Sequence, residues 1–187
     1  MDYKELLQKQ LKQFSSKGYN RTFTSIYRYQ ETFPFTKIDL PTEELQKENI
    51  NPDTTIWCSN DYLNMSHNKK VINRMIQVIK EVGTGSGGTR NISGTTPYHD
   101  QLEKKLANFH ERDAALIFTS AYVANQTTLA TLCKRIPNIE VFSDQLNHAS
   151  LIEGIKNSKA SCSIFRHNDL KHLESLLSEK DLNQPKI

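Results

Sequence analysis

The sequence predicts an α/β fold, a mostly parallel sheet with helices on both faces. Three observations predict it. From Ala114 onward, short apolar runs (Ala114–Phe118, Ile139–Phe142, Cys162–Phe165) alternate with longer stretches of helical period. Each run ends in a polar junction of the kind that leads a strand into a helix: Thr119-Ser120, Ser143-Asp144 and Arg166-His167-Asn168-Asp169. Between two helical stretches lies Gly83 to Thr96, which holds five of the seven glycines, six hydroxyl side chains, Arg90 and Asn91, and almost nothing apolar. Such a segment has little packing to offer and reads as a binding loop.

The elements follow in order. Asp2 to Lys17 places Leu6, Leu7, Leu11 and Phe14 on one side of a helix that Gly18 stops. Tyr19 to Pro41 is aromatic-rich and reads as an irregular arm, with Arg21 and Arg28 among the rings. Those arginines are open to two readings, solvated side chains or a carboxylate or phosphate clamp. Glu43 to Asp53 is polar and reads as a surface loop, and Thr54 to Cys58 as a short strand ending in the turn Ser59-Asn60-Asp61-Tyr62-Leu63. Helices are expected over 68–82 (Val71, Met75, Val78, Ile79, Val82) and from about Pro97 (Leu102, Leu106, Phe109). The alternating part then gives strands at Ala114–Phe118, Ile139–Phe142 and Cys162–Phe165. Helices are expected at Tyr122–Cys133, from His148 or Ala149 to Ser158, and at Leu170–Ser178. The division expected is an N-terminal helix and arm, 1–53, and a large-domain part, 54–187. Pro185 is followed by Ile187, the first position of a further apolar run, so the chain reads as cut where another strand begins. A cut sheet leaves an uncovered edge, from which poor solubility is expected.

Composition narrows the function classes. A net charge of +3 on 187 residues, with lysines dispersed along helices, offers no basic patch for nucleic acid. No apolar run reaches membrane-spanning length. Three cysteines without metal spacing point to a reducing compartment, and the charged N-terminus is unlike a signal peptide, so the cytoplasm is the expected location.

Chemistry is expected at the carboxyl ends of the strands. Gly83, Gly85 and Gly88 spell G-x-G-x-x-G, but a helix precedes the pattern and no helix opens within it, against a dinucleotide loop. Thr119-Ser120-Ala121-Tyr122 suits a phosphate at a helix N-terminus, and equally an ordinary N-cap. His148 follows a strand end and is open to stacking on a planar ligand, acting as a base, or capping. No nucleophile triad, metal cluster or carboxylate couple is visible. The residues thus point to an α/β protein for a planar, phosphate-bearing ligand.

Six strings carry a resemblance to a known family: Trp57 to Leu63, Gly83 to Thr96, Tyr98-His99 with Leu102-Glu103, Ser120 to Asn125, Ser143 to Ser150, and Phe165 to Asp169. Together they resemble the pyridoxal-phosphate-dependent α-oxoamine synthases, and within them the 5-aminolevulinate synthase branch, which Thr89 to Thr96 marks best. The resemblance implies the N-terminal arm and part of the large domain of a fold-type I pyridoxal 5'-phosphate enzyme. The implied reaction joins glycine to succinyl-CoA, releasing CoA and carbon dioxide, for haem and porphyrin biosynthesis. It implies that Ser120, Ala121 and Tyr122 hold the cofactor phosphate and that His148 stacks on the pyridine ring. It implies that Asn60 holds the glycine carboxylate, that Arg21, Thr89, Asn91 and Ser143 receive succinyl-CoA, and that the enzyme is a homodimer. The lysine that bonds the cofactor is expected beyond Ile187, so the 187 residues alone are expected to be inactive. Two positions depart from the family pattern. Asn64 stands where Gly is usual, and Cys162 where some members place a basic residue near CoA phosphates. The alternatives are a sibling synthase of the 8-amino-7-oxononanoate synthase or 2-amino-3-oxobutyrate CoA ligase type, a non-catalytic partner subunit, or a dinucleotide-binding module.

Overall fold

The computed structural model describes residues 2–19 and 23–187. The chain forms two compact units, Met1–Gly85 and Ser86–Ile187.

In the first unit, helix α1 (Tyr3–Ser16) starts where the Asp2 carboxylate accepts the N–H groups of Lys4 and Glu5. Its apolar side, Leu6, Leu7, Leu11 and Phe14, is exposed. A three-stranded antiparallel sheet follows, β1 (Ile26–Tyr27), β2 (Phe35–Ile38) and β3 (Asp53–Thr55), with β2 central. Ile26 faces Ile38, and Thr36 faces Thr54. The arm expected to be irregular therefore contains a strand pair. The surface loop expected at Glu43–Asp53 contains helix α2 (Thr42–Lys47), with Glu43 and Glu44 in its first turn and Lys47 in its last, as the helix dipole favours. The strand expected over Thr54–Cys58 pairs only to Thr55, because β2 begins at Phe35 and only the Ile56 N–H bond to Pro34 O (3.0 Å) continues past it. Asn64 sits at φ 54°, ψ 32° before a 3-10 turn at Met65–His67. Asn tolerates this left-handed region best after Gly. The Asn68 side chain then caps helix α3 (Lys69–Val82).

The second unit carries helices α4 (Pro97–Phe109), α5 (Ala121–Arg135), α6 (Ala149–Ser158) and α7 (Leu170–Ser178), and strands β4 (Glu140–Asp144) and β5 (Ser161–Phe165). β4 and β5 pair in parallel, Glu140 against Ser161 through Asp144 against Phe165, as a βαβ unit requires. The final residues lie along the other side of β4: Phe142 N–H donates to Ile187 O (2.8 Å) and Ile187 N–H to Glu140 O (3.0 Å). The core is small. Cys133, Ile139, Val141 and Ile155 are buried, with Leu129 and Ala160 packed on them. Buried Glu140 is satisfied by the Ser163 hydroxyl (2.7 Å) and Lys180 Nζ (3.1 Å).

The buried strand expected at Ala114–Phe118 does not form. Among the described residues no strand lies alongside it, Leu116 is exposed, and the Ile117 N–H donates to the Glu103 carboxylate instead (2.9 Å). A strand is stable only with a hydrogen-bonding partner. The described surface is correspondingly large. The 15833 Å² of accessible area exceeds the roughly 11,000 Å² that two separate compact bodies of half the mass would expose. No helix among the described residues is long and apolar enough to cross a membrane.

The exits of β4 and β5 are tied at one carboxylate. Asp144 accepts the N–H groups of Leu146 (2.7 Å) and Asn168 (3.0 Å) and bonds His167 Nδ1 (2.9 Å). These bonds, the two backbone N–H donors first, hold its pKa down at about 2, below the usual 3.8. The linked stability is complete above the usual value and disappears as pH falls through the folded one. Wild-type stability is therefore expected to fall between pH 4 and pH 2 by more than that of Asp144→Asn, which urea unfolding of both proteins at a series of acid pH values, followed by far-ultraviolet circular dichroism, will measure. Gly154 gives a second test. A Cβ there would lie 2.9 Å from Leu129 Cβ and 3.0 Å from Gln126 O on α5. Gly154→Ala, ordinarily stabilising in a helix, is expected to destabilise this unit by about 1–3 kcal/mol in urea unfolding.

Candidate functional site

The second unit gathers a site where α5 begins and β4 ends. Ser120 caps α5 by accepting the Val123 N–H (3.2 Å). The first-turn N–H groups of Ala121 and Tyr122 take no acceptor among the described residues, leaving an anion-facing helix end. The exposed His148 ring stands edge-on to the Tyr122 ring, centroids 6.0 Å apart at 73°. Ser120, Ala121, Tyr122 and His148, distant in sequence, are thus brought together. An open helix N-terminus beside an exposed histidine fits a planar ring that carries a phosphate.

His148 is held from beneath. Its Nδ1 accepts the Ser150 N–H (3.2 Å) and lies 2.8 Å from the Ser150 hydroxyl, which in turn accepts the Asn125 amide (3.1 Å). Ser150 is completely buried. A ring nitrogen that accepts a backbone N–H carries no proton, so this geometry assigns the neutral ring its proton at Nε2. Sequence reasoning passed over Asn125 and Ser150. The available signal was a hydroxyl two residues after a capping His, a local pattern with too many meanings to stand out.

The other candidate residues are distributed. Thr89 and Asn91 are exposed on the loop before α4, on either side of half-buried Arg90. Arg90 reaches inward to Glu103 on α4, pairing through both terminal nitrogens, Nη2 to Oε2 at 3.0 Å. The Arg90 bonds first, then the Ile117 N–H, hold the Glu103 carboxyl down at about 2. Ser143 is buried at the end of β4, its hydroxyl accepting the Asn147 amide (2.9 Å). Cys162 is exposed on β5.

In the first unit, Asn60 is exposed on a turn that its neighbour Asp61 organises. Asp61 takes the Ser66 hydroxyl and the Ser66 N–H (3.3 Å), and Arg28 Nη2 lies 3.5 Å away. The Ser66 hydroxyl bond is the largest cause that lowers the Asp61 pKa. Arg28, considered above as a clamp for a ligand, is instead spent on Asp61 and on the Phe33 ring, 4.7 Å from its centroid. Phe33 stacks in turn on His67, centroids 4.8 Å apart. Arg21 lies outside the described residues. A concavity of about 630 Å³ lies on the β2–β3 sheet beside Tyr29, Thr36 and Thr54 and is lined by no candidate residue. No cluster of His, Cys, Asp and Glu among the described residues is arranged to hold a metal.

Comparison with known proteins adds the lineage. Residues 52–187 match the family model described as aminotransferase class I and II. The chain is 45% identical over all of its length to a 5-aminolevulinate synthase of Rhodobacter capsulatus, covering 44% of that protein. It is 46% identical over 99% of its length to one of Rickettsia conorii, covering 42%. The chain therefore spans less than half the length of these curated relatives. A solved serine palmitoyltransferase from S. paucimobilis, with bound PLP and myriocin, shares the fold at TM-score 0.75 and 24% identity, over 96% of this chain and 43% of that one. An 8-amino-7-oxononanoate synthase from Francisella tularensis matches at TM-score 0.54 and 28% identity, over 67% of this chain and 34% of that one. With an α/β unit whose strand and helix ends meet at His148 and a family match across 52–187, the chain belongs to the class I and II aminotransferase family.

Proposed function

We propose that these residues form the cofactor-ring and acyl-substrate part of a 5-aminolevulinate synthase, which condenses glycine with succinyl-CoA on pyridoxal 5'-phosphate. The observation that carries the reading is the open N-terminus of α5 beside His148, in a chain whose likeness to 5-aminolevulinate synthases runs end to end.

When bound, pyridoxal phosphate supplies the electron sink that lets the glycine α-carbon lose a proton. The protein's part is placement. The N–H groups of Ala121 and Tyr122, with the dipole of α5 behind them, take the phosphate, and Ser120 fixes the first turn that aims them. His148 would offer its ring face to the cofactor's pyridine, with the Asn125–Ser150 relay holding the imidazole in place. Asn60 receives the glycine carboxylate. Arg21, Thr89, Asn91 and Ser143 receive succinyl-CoA, Ser143 with Asn147 as its outward neighbour. We further propose a homodimer, for which the exposed apolar side chains of both units offer surface. A reducing compartment, the cytoplasm, suits the exposed free thiols of Cys58 and Cys162.

Two outcomes test this. The complete protein carrying these residues, supplied with glycine, succinyl-CoA and pyridoxal phosphate, is expected to release 5-aminolevulinate and carbon dioxide. A product built from another amino acid or acyl-CoA would assign it to a sibling synthase. Ser150→Ala removes the hydroxyl that links His148 to Asn125, leaves the ring only the backbone N–H of residue 150, and is expected to lower kcat/KM about tenfold, about 1.4 kcal/mol of transition-state stabilisation, with a shift in the bound cofactor's absorbance. An unchanged spectrum and rate would remove the relay from the mechanism.

A further inference from the structure

We infer that the Arg90–Glu103 pair is a latch that holds the 88–94 loop in the shape that presents Thr89 and Asn91 to the acyl substrate. The inference rests on the reading of Thr89 and Asn91 as acyl-substrate residues. It makes Arg90 and Glu103 positioning residues for that substrate, and leaves its carboxylate to the neutral donors on either side of Arg90.

The loop is folded tightly on itself. The Thr89 carbonyl accepts the N–H groups of both Ile92 (3.1 Å) and Gly94 (2.8 Å). Gly94 is buried, and a Cβ there would overlap the Gly88 carbonyl oxygen, so the chain closes only with glycine at this point. Nothing apolar anchors the fold: Ile92 is exposed. The anchorage is polar and centred on Arg90. Its two terminal nitrogens grip Glu103, its Nε lies 3.5 Å from Thr95 Oγ1, and the Thr95 hydroxyl donates to the Arg90 carbonyl (2.9 Å). Glu103 in turn stands on α4 and accepts the Ile117 N–H (2.9 Å). One carboxylate therefore joins the loop, a helix and the extended segment that follows it. Its side chain is 15% exposed and that of Arg90 32%, so water competes only in part for the pair. A planar guanidinium engaged by a carboxylate at both ends has a fixed direction. With Arg90 turned inward, Thr89 and Asn91 are left exposed on either side of it.

The test has a structural arm and a kinetic arm. Amide hydrogen exchange in this chain is expected to speed up at least about tenfold at Ile92 and Gly94 in Glu103→Gln, which keeps an oxygen for Ile117 but loses the charge. Exchange in α5 and α6 should stay at the wild-type rate. Arg90→Lys, which keeps the charge without the fork, should give an intermediate rate, and it carries the test if Glu103→Gln loosens α5 and α6 as well. Unchanged exchange at Ile92 and Gly94 in both variants would overturn the latch. In the complete protein, Glu103→Gln is expected to raise KM for succinyl-CoA about tenfold, with kcat and KM for glycine within about twofold. Equal loss on both substrates would show a general structural role and overturn the proposal. A wild-type protein that turns over neither substrate would sink the proposed function alone, with the latch decided by exchange.

Discussion

Helix α6 approaches α5 so closely that only glycine fits at position 154, against Leu129 and two backbone carbonyls. The contact governs more than the local core. It brings Ser150, on the first turn of α6, within reach of the Asn125 amide on α5 (3.1 Å), and Ser150 holds His148. The same approach sets the first turn of α5 beside the exit of β4, so the Tyr122 and His148 rings meet. A binding site made of helix and strand ends has no rigidity of its own. Here it comes from a helix pair locked by a missing methyl group and a buried hydroxyl.

Carboxylates do similar work elsewhere. Asp144 gathers the exits of β4 and β5, Glu103 gathers the loop before α4, and Asp61 gathers the turn around Asn60. Each accepts at least one backbone N–H, which anchors the chain itself rather than a neighbouring side chain. None is a candidate ligand contact, yet each stands one or two steps from residues that are. These three carboxylates are thus engaged in structure, while Thr89 and Asn91 stay exposed beside the residues that one of them holds.

The helices over 68–82, 97–109, 121–135, 149–158 and 170–178 were legible because period and cap agree: Asn68, Ser120, His148 and Asp169 each bond a first-turn N–H. The strands were legible only where a partner exists. Ala114–Phe118 is more apolar than β4 yet has no strand alongside it among the described residues, and composition does not report pairing. The β1–β2 pair was hidden because Tyr, Arg and Lys alternate with Ile26 and Ile38 and blur the period. For α2 the signal was present, with Pro41 before Thr42 and two glutamates in the first turn, in a run short enough to pass for a loop. The candidate cofactor-end residues stood out as strings, and they lie at the starts of α5 and α6. Their supports did not, because Ser150 meets Asn125 across 25 positions and Glu103 meets Arg90 across 13.

The small core also shapes how the chain responds to heat. The heat-capacity change of unfolding follows the apolar area that unfolding newly wets. With five apolar side chains buried among the described residues and large ones such as Phe23, Trp57 and Leu182 already in water, comparatively little such area remains to be uncovered. The stability of these two units should therefore trace a shallow curve against temperature, with a broad melting transition. Any surface that covers those side chains would deepen the curve as well as raise it, so a ligand or partner would register in calorimetry first as a sharper peak.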